Sequence, residues 1–133
     1  MLQHIGAVAL LVRDYDEALA WYTAKLGFVV AADTPLGKGK RWVTIAPPGG
    51  RTPLLLAQAS TPEQAAQIGC QAGGRVFLFL HTDDFWRDHA AYVAAGVTFL
   101  EEPRREAYGM VAVFADLYGN KWDLLQPSTG PAI

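Results

Sequence analysis

The sequence of 133 residues has little of several features that define other functional classes. It contains one cysteine, Cys70, so an internal disulfide is impossible, and no Cys/His spacing typical of zinc sites occurs. Lysine and arginine number 11 against 13 aspartate and glutamate, without a basic run, which argues against a nucleic-acid partner. The apolar run 5–12 is too short to span a membrane and lacks the basic flank of a signal peptide. We therefore expect a cytoplasmic protein that binds neither nucleic acid nor membrane.

What the sequence does contain favours one well-packed domain covering residues 1–133. Its composition is 51% hydrophobic with four tryptophans, enough for a sizeable core in a chain of this length. Cys70 is expected to be a buried, unreactive thiol. No Ser-His-Asp order, phosphate-binding loop or dinucleotide fingerprint points to a standard chemistry.

Hydrophobic patterning and turn residues predict an alternation of strands and helices. Asp14 and Asp84 are good N-caps, and Gly27 and Gly96 are typical residues to end the two main helices. A short helix begins at Thr61, while 33–40 and 101–106 are predicted loops and 71–74 a linker. The predicted strands cover residues 5–12, 28–32, 41–46, 54–58, 76–81, 97–100, 110–115 and 121–126.

The two halves of the chain match each other. Asp14 matches Asp84 at an offset of 70 residues, and Gln58 matches Gln126 at an offset of 68. Each half has the order strand, helix, strand, strand, strand, which predicts an internal repeat with modules at about 4–70 and 75–127. One module would leave a sheet face uncovered, so two are expected to pair.

The last two strands are predicted to form a hairpin around Leu117-Tyr118-Gly119-Asn120. Its second strand places one acid, Asp123, between the apolar residues Trp122 and Leu124. Because side chains alternate along a strand, Asp123 faces away from both neighbours. It points either to water or into a pocket that favours an acid.

These landmarks resemble the vicinal oxygen chelate superfamily of glyoxalase, bleomycin-resistance and extradiol-dioxygenase proteins. The matching residues are Leu11-Val12-Arg13-Asp14-Tyr15, Ala20-Trp21-Tyr22, Leu26-Gly27-Phe28, Ala95-Gly96-Val97 and Asp116-Leu117-Tyr118-Gly119-Asn120. The resemblance implies an α+β fold in which two βαβββ modules pair curved mixed sheets around one cleft. It also implies a homodimer.

Metal enzymes of this superfamily take ligands from four strands, and the resemblance places those positions at Ala7, Leu55, Phe77 and Asp123. Three of the four residues cannot bind a metal, and one carboxylate does not hold a divalent ion against water. His4 lies on the wrong strand face to replace them. We therefore expect no metal and no cofactor, with Asp123 as the surviving acid of the site.

If Asp123 faces the cleft, it is able to pair with a ligand amine or an internal arginine (Arg41 or Arg75), or to act as a catalytic acid or base. Each neighbour also has a structural interpretation. Trp42 is alternatively a core residue, and His81 is alternatively a hydrogen-bonded residue at the end of its strand. His89 is expected to be a packed histidine. The predicted ligand-binding residues are Arg41, Trp42, Phe77, Phe79, His81, Glu106, Tyr108 and Asp123.

Three functions are consistent with these residues. The first is a metal-free protein of the bleomycin-resistance type that binds a planar or aromatic small molecule. The second is a glyoxalase- or lyase-like enzyme that uses Asp123 as acid or base, or a non-standard metal site. The third is a dimerisation or regulatory module whose cleft has collapsed. The apolar residues at the ligand positions favour the first.

Overall fold

A computed structural model describes residues 1–129, which form an α+β fold with two mixed β-sheets. The predicted fold class is thereby confirmed. The chain divides into two compact units, the first ending at Ile68 and the second beginning at Gly69. Their pairing around a cleft within one domain stays a prediction. Residues 130–133, part of the predicted C-terminal tail, lie outside the described residues.

The first unit contains a four-stranded sheet in the order β1-β4-β3-β2. Strands β1 and β4 are parallel, whereas the β3 strand is antiparallel to both β4 and β2. The elements are β1 (Val8–Val12), α1 (Tyr15–Leu26), β2 (Val29–Gly37), β3 (Lys40–Ala46), β4 (Leu54–Gln58) and α2 (Pro62–Gln67).

Both ends of α1 are set by the residues that the sequence predicted. The Asp14 carboxylate accepts a hydrogen bond from the Glu17 backbone N–H at 2.8 Å, and Gly27 ends the helix with a φ of 69°. The backbone N–H of Tyr15 donates to Gln58 Oε1 at 3.4 Å, which connects the start of the helix to the end of β4. The buried face of α1 consists of Tyr15, Ala18, Tyr22 and Leu26.

The second unit contains a five-stranded sheet in which β5, β9, β8 and β6 follow one another. A further short strand, β7, pairs with β8 beyond the end of β6. Parallel pairing joins β5 to β9, and antiparallel pairing joins β9 to β8. The elements are β5 (Val76–His81), α3 (Phe85–Ala95), β6 (Thr98–Phe99), β7 (Arg104–Glu106), β8 (Gly109–Ala115) and β9 (Lys121–Pro127).

Helix α3 follows the same local rules as α1. Asp84 accepts from the Arg87 N–H at 3.1 Å, and Gly96 ends the helix with a φ of 91°. The backbone N–H of Phe85 donates to Gln126 Oε1 at 2.8 Å, as Tyr15 does to Gln58 in the first unit. Phe85 and Tyr92 are buried, and His89 packs 4.3 Å from the Phe99 ring between centroids, as expected of a packed histidine.

Several predicted boundaries were wrong. Strand β2 continues to Gly37 through residues predicted as a loop, and β7 lies within the predicted charged loop 101–106. The first strand begins at Val8 rather than residue 5, and β6 is reduced to two residues. Polar residues at the exposed edges of sheets form strands through backbone pairing, which side-chain hydrophobicity does not reveal.

The turn between β8 and β9 is organised by a buried carboxylate. Asp116 accepts hydrogen bonds from the backbone N–H groups of Tyr118 and Asn120 at 3.0 and 2.9 Å. It also accepts from Asn120 Nδ2 at 3.0 Å and from the Trp122 indole Nε1 at 3.2 Å. This confirms the predicted hairpin and fixes a register in which Val113 lies opposite Asp123.

No helix within residues 1–129 is both long enough and apolar enough to cross a lipid bilayer. The longest, α1, has 12 residues, against the ~20 that a span requires.

Gly109 is a position where the hairpin tolerates no side chain. Its φ is 148°, and a Cβ atom there would lie 2.0 Å from the Gln126 carbonyl oxygen. We expect Gly109→Ala to lower the free energy of unfolding by about 3 kcal/mol, from steric overlap and backbone strain together. Urea denaturation measures this change.

Gly73→Ala is the matched control, because Gly73 also has a positive φ, of 65°, but no atom lies within 4 Å of its added Cβ. Gly73→Ala should lower the free energy of unfolding by only about 1 kcal/mol. Equal losses in the two variants would contradict the steric argument.

Candidate functional site

Asp123 lies on β9, between β5 and β8, and is 6% exposed. Its neighbours Trp122 and Leu124 are buried on the opposite face, where the Trp122 ring stacks on Phe114 at 5.8 Å between centroids. The packing of this aromatic face therefore forces Asp123 to the other face of the sheet. Of the two directions open to Asp123, the structure supports burial rather than full exposure to water.

The Asp123 carboxyl group is not fully hydrogen-bonded. Its Oδ1 atom is buried and has no hydrogen-bond partner among the described residues. Burial raises the pKa of Asp123, because the charged form loses its hydration. The positive charge of Arg104 lowers this pKa, and the negative charge of Glu101 raises it further. Uncompensated burial of an acid is costly, so it calls for an explanation.

Glu101 hydrogen-bonds to a part of the β8 edge that no described strand covers, next to Asp123. Strand β8 pairs with β6 as far as Phe99 and with β7 from Arg104, which leaves the intervening part of its edge without a regular strand partner. The Val113 backbone N–H in this interval donates to Glu101 Oε2 at 3.2 Å. The same oxygen accepts from Arg104 Nε at 3.0 Å. Glu101 thus replaces a backbone carbonyl and holds Arg104 in place.

Arg104 connects Glu101 to two of the predicted ligand-binding residues. Its Nη1 donates to Glu106 Oε1 at 2.7 Å and to the Tyr108 hydroxyl at 3.3 Å. We call Glu101, Arg104, Glu106 and Tyr108 the Glu101 network. All four are partly exposed, so the network orders the side chains more than it stabilises the fold.

Phe79 provides an aromatic surface next to Asp123. The two residues are direct partners in the parallel pairing of β5 with β9, and their side chains therefore lie on the same face. Phe79 is 59% exposed, unusual for a large aromatic side chain in a sheet. His81, also exposed, lies two residues further along this face, opposite Leu125.

Phe77 occupies a different environment. The β5–β9 register shifts between Val76 and Leu78, so simple alternation no longer assigns Phe77 to the Asp123 face. It lines a cavity of about 20 Å³ together with Gly69, Cys70, Ala72, Gly74, Arg75, Gly119, Asn120 and Lys121. That volume admits roughly one water molecule, far below what a drug-sized ligand needs.

The predicted burial of Cys70 was wrong, because the turn at the start of the second unit leaves this thiol exposed.

Arg41 and Trp42 lie on β3 in the first unit. The Arg41 guanidinium donates to Asp33 at 2.8 Å and to Asp16 at 3.0 Å, and it stacks 5.1 Å from the centroid of the Tyr15 ring. Its charge is therefore matched within its own unit. Trp42 is 45% exposed, so it is not the core residue that a strand tryptophan usually is.

Sequence reasoning missed the residues whose charges act most on Asp123. It considered Arg41 and Arg75 as internal partners, whereas the arginine that acts on Asp123 in the second unit is Arg104, accompanied by Glu101. No sequence signal identified these two residues, because the segment 101–106 is charged, contains a proline and therefore favours a loop.

The residues present do not fit a metal of the kind used elsewhere in the superfamily. Ala7, Leu55 and Phe77 offer no donor atoms, and within residues 1–129 no three His, Cys, Asp or Glu side chains group in a way that would hold an ion. The chain's metal-free state remains a prediction.

The first unit has the order βαβββ, and the second has the same order with the short strand β7 added; such units are typical of one class, the vicinal oxygen chelate fold. The model of the Glyoxalase/Bleomycin resistance protein/Dioxygenase superfamily matches residues 4–124, and the chain belongs to this superfamily.

Similar proteins agree with this assignment. A protein of Shewanella frigidimarina is 56% identical over 128 residues, which cover 95% of each chain. TnmS3, an antibiotic binding protein from Streptomyces sp. CB03234, is 32% identical with a TM-score of 0.79, covering 96% of this chain and 98% of that one. A superfamily member from Sphaerobacter thermophilus is 28% identical with a TM-score of 0.81, covering 94% of this chain and 98% of that one.

The pKa of Asp123 yields a prediction about stability. Because its pKa is raised in the folded state, ionised Asp123 opposes folding at neutral pH, and this cost disappears as the pH falls through the folded-state pKa. Asp123→Asn should therefore raise the melting temperature near neutral pH by about 2–5 °C, which corresponds to roughly 1 kcal/mol for a chain of this size. The gain should shrink towards about pH 4.

Glu63→Gln removes an exposed acid from the first turn of α2 and is the control; because a carboxylate there is favoured by the helix dipole, we expect a small loss and no gain in stability at neutral pH. Thermal denaturation followed by circular dichroism measures both variants. A loss of stability in Asp123→Asn at neutral pH would show that the ionised carboxylate has a stabilising partner.

Proposed function

We propose that this protein binds a small organic molecule, without a metal ion, on the sheet face that carries Asp123 and Phe79. The observation that carries the proposal is a buried acid with an unpartnered oxygen beside an exposed aromatic ring. Ligand sites typically combine apolar surface with a few well-placed polar groups. Superfamily membership and the similarity to TnmS3 support the same function.

Burial of the Asp123 carboxyl group without a hydrogen-bond donor for Oδ1 within residues 1–129 lowers the stability of the fold. An unsatisfied buried polar group costs roughly 1–3 kcal/mol, and more when it is charged. An acid with a purely structural role has donors around it, as Asp116 has four at its turn. The Oδ1 atom of Asp123 instead has no hydrogen-bond donor among the described residues. Stability given up at a binding site in this way is a recognised trade-off.

The Glu101 network gives this face a second polar contact. Glu106 and Tyr108, both held by Arg104, are partly exposed and supply a carboxylate and a hydroxyl for recognition. Because Arg104 already orders both side chains in the ligand-free protein, less conformational entropy is lost when a ligand binds. Trp42, also predicted from the sequence to contact the ligand, is an exposed aromatic of the first unit, and its contact with a ligand stays a prediction.

We also propose that the chain is cytoplasmic, that its two units arose as an internal repeat, and that it forms a homodimer. Two observations support the repeat. The second unit follows the strand, helix, strand, strand, strand order of the first with the short strand β7 added, and Gln58 and Gln126 make matching contacts to helix N-termini.

Catalysis is the second candidate function, favoured by one observation. Burial raises the pKa of Asp123, which is the direction that suits a carboxyl group for general acid–base work near neutral pH. In that case Asp123→Asn abolishes turnover of a verified substrate but leaves its binding largely intact. Full turnover by this variant would rule out Asp123 as acid or base.

A thermal-shift screen of planar and aromatic antibiotics against chelator-treated protein tests the binding proposal. We expect at least one compound to raise the melting temperature, and Ni²⁺, Mn²⁺, Fe²⁺ or Zn²⁺ to leave both the protein and the compound's effect unchanged. A specific response to one of these ions would contradict the metal-free proposal.

The same compound then distinguishes two exposed aromatic residues of the second unit. Phe79→Ala should weaken its binding roughly ten-fold, the typical loss of an aromatic contact in a site. Trp86→Ala, which removes a ring that is 55% exposed on α3, should leave the affinity unchanged. Isothermal titration calorimetry measures both, and equal effects would show that the ligand binds elsewhere.

A further inference from the structure

Negative charges outnumber positive charges in the group formed by Asp123 and the Glu101 network. Three carboxylates, those of Glu101, Glu106 and Asp123, accompany the single guanidinium of Arg104. The hydrogen bonds of Arg104 go to Glu101, Glu106 and Tyr108, and none among the described contacts goes to Asp123. Asp123 is therefore within the field of Arg104 but has no hydrogen-bond donor and no ion-pair partner of its own within residues 1–129.

The other charged groups of this part of the sheet do not supply the missing partner. Lys121 lies two residues from Asp123 on the same strand, about 7 Å along it, and is exposed. His81 is exposed near the end of β5, and Glu102 and Arg105 are exposed beside the Glu101 network. No described contact joins any of these four side chains to the Asp123 carboxyl group.

The exposed ring of Phe79 provides a surface on which a ligand can stack beside Asp123. Paired residues of neighbouring strands are separated by about 4.8 Å, so a flat group stacked on the Phe79 ring has its substituents within reach of Asp123. A cation in this position is also attracted by the ring itself.

We infer that the ligand is an organic cation, with a protonated nitrogen that donates to the Asp123 carboxylate and an apolar ring that packs on Phe79. This inference rests on the proposed binding function and specifies its ligand class. A protonated amine supplies both the absent hydrogen-bond donor and the absent positive charge, and charge-assisted hydrogen bonds are the stronger kind. A hydroxyl group supplies only the donor, and a carboxylate ligand would be repelled by the three acids.

A matched pair of probes tests the inference: 2-naphthylmethylamine and 2-naphthylmethanol, which share one ring system and differ in the polar group. Each is titrated into the 133-residue chain, and the backbone amide signals of Phe79, Val113 and Asp123 are followed by NMR. We expect both probes to shift these signals, with the amine binding roughly ten-fold more tightly. Asp123→Asn should remove the preference, while Glu63→Gln, which lowers the chain's negative charge equally on α2 of the first unit, should retain it.

The outcomes separate the two proposals. Equal binding of amine and alcohol by the wild-type chain, or a preference that survives in Asp123→Asn, would overturn the cationic ligand and leave the binding face intact. If neither probe shifts the three amide signals, the binding face itself is wrong and the inference falls with it.

Discussion

The position of Asp123 depends on the hydrogen bonds that Asp116 accepts at the preceding turn. By binding the backbone of Tyr118 and Asn120 and the indole of Trp122, Asp116 fixes how β9 leaves the turn. A shift of one residue in the β8–β9 register would exchange the two faces of β9. It would move Asp123 into the aromatic core and Trp122 out of it. The anchored indole makes such a shift costly, so one buried acid determines the direction of the other.

The two acids illustrate how the same residue type acquires different roles from its surroundings. Asp116 is surrounded by donors and serves the fold. Asp123 is equally buried, at 6% exposure, yet its Oδ1 has no donor among the described residues, and burial raises its pKa. The first arrangement stabilises the protein, whereas the second costs stability. We interpret the cost as that of a site prepared for a partner from outside the chain.

Much of this structure follows from local sequence signals. Asp14, Gly27, Asp84 and Gly96 define helix ends through chemistry confined to one turn, so their roles were predictable. Alternation against Trp122 predicted that Asp123 faces away from the aromatic core, but only the resemblance to the superfamily indicated an inward direction. The Glu101 network could not be predicted from the sequence, because it depends on an interrupted sheet edge at which a side chain replaces a backbone acceptor. The exposure of Cys70 likewise follows from the path of a turn that composition does not specify.

The most direct test of the account is the titration of Asp123 in the ligand-free protein, followed through its side-chain carboxyl carbon by NMR. A carboxyl group that is buried without a donor should titrate above the ordinary aspartate value of 3.8, and an added cationic ligand should lower its pKa. A pKa at or below that ordinary value in the ligand-free protein would contradict the account. It would mean that Asp123 already has a partner within the chain.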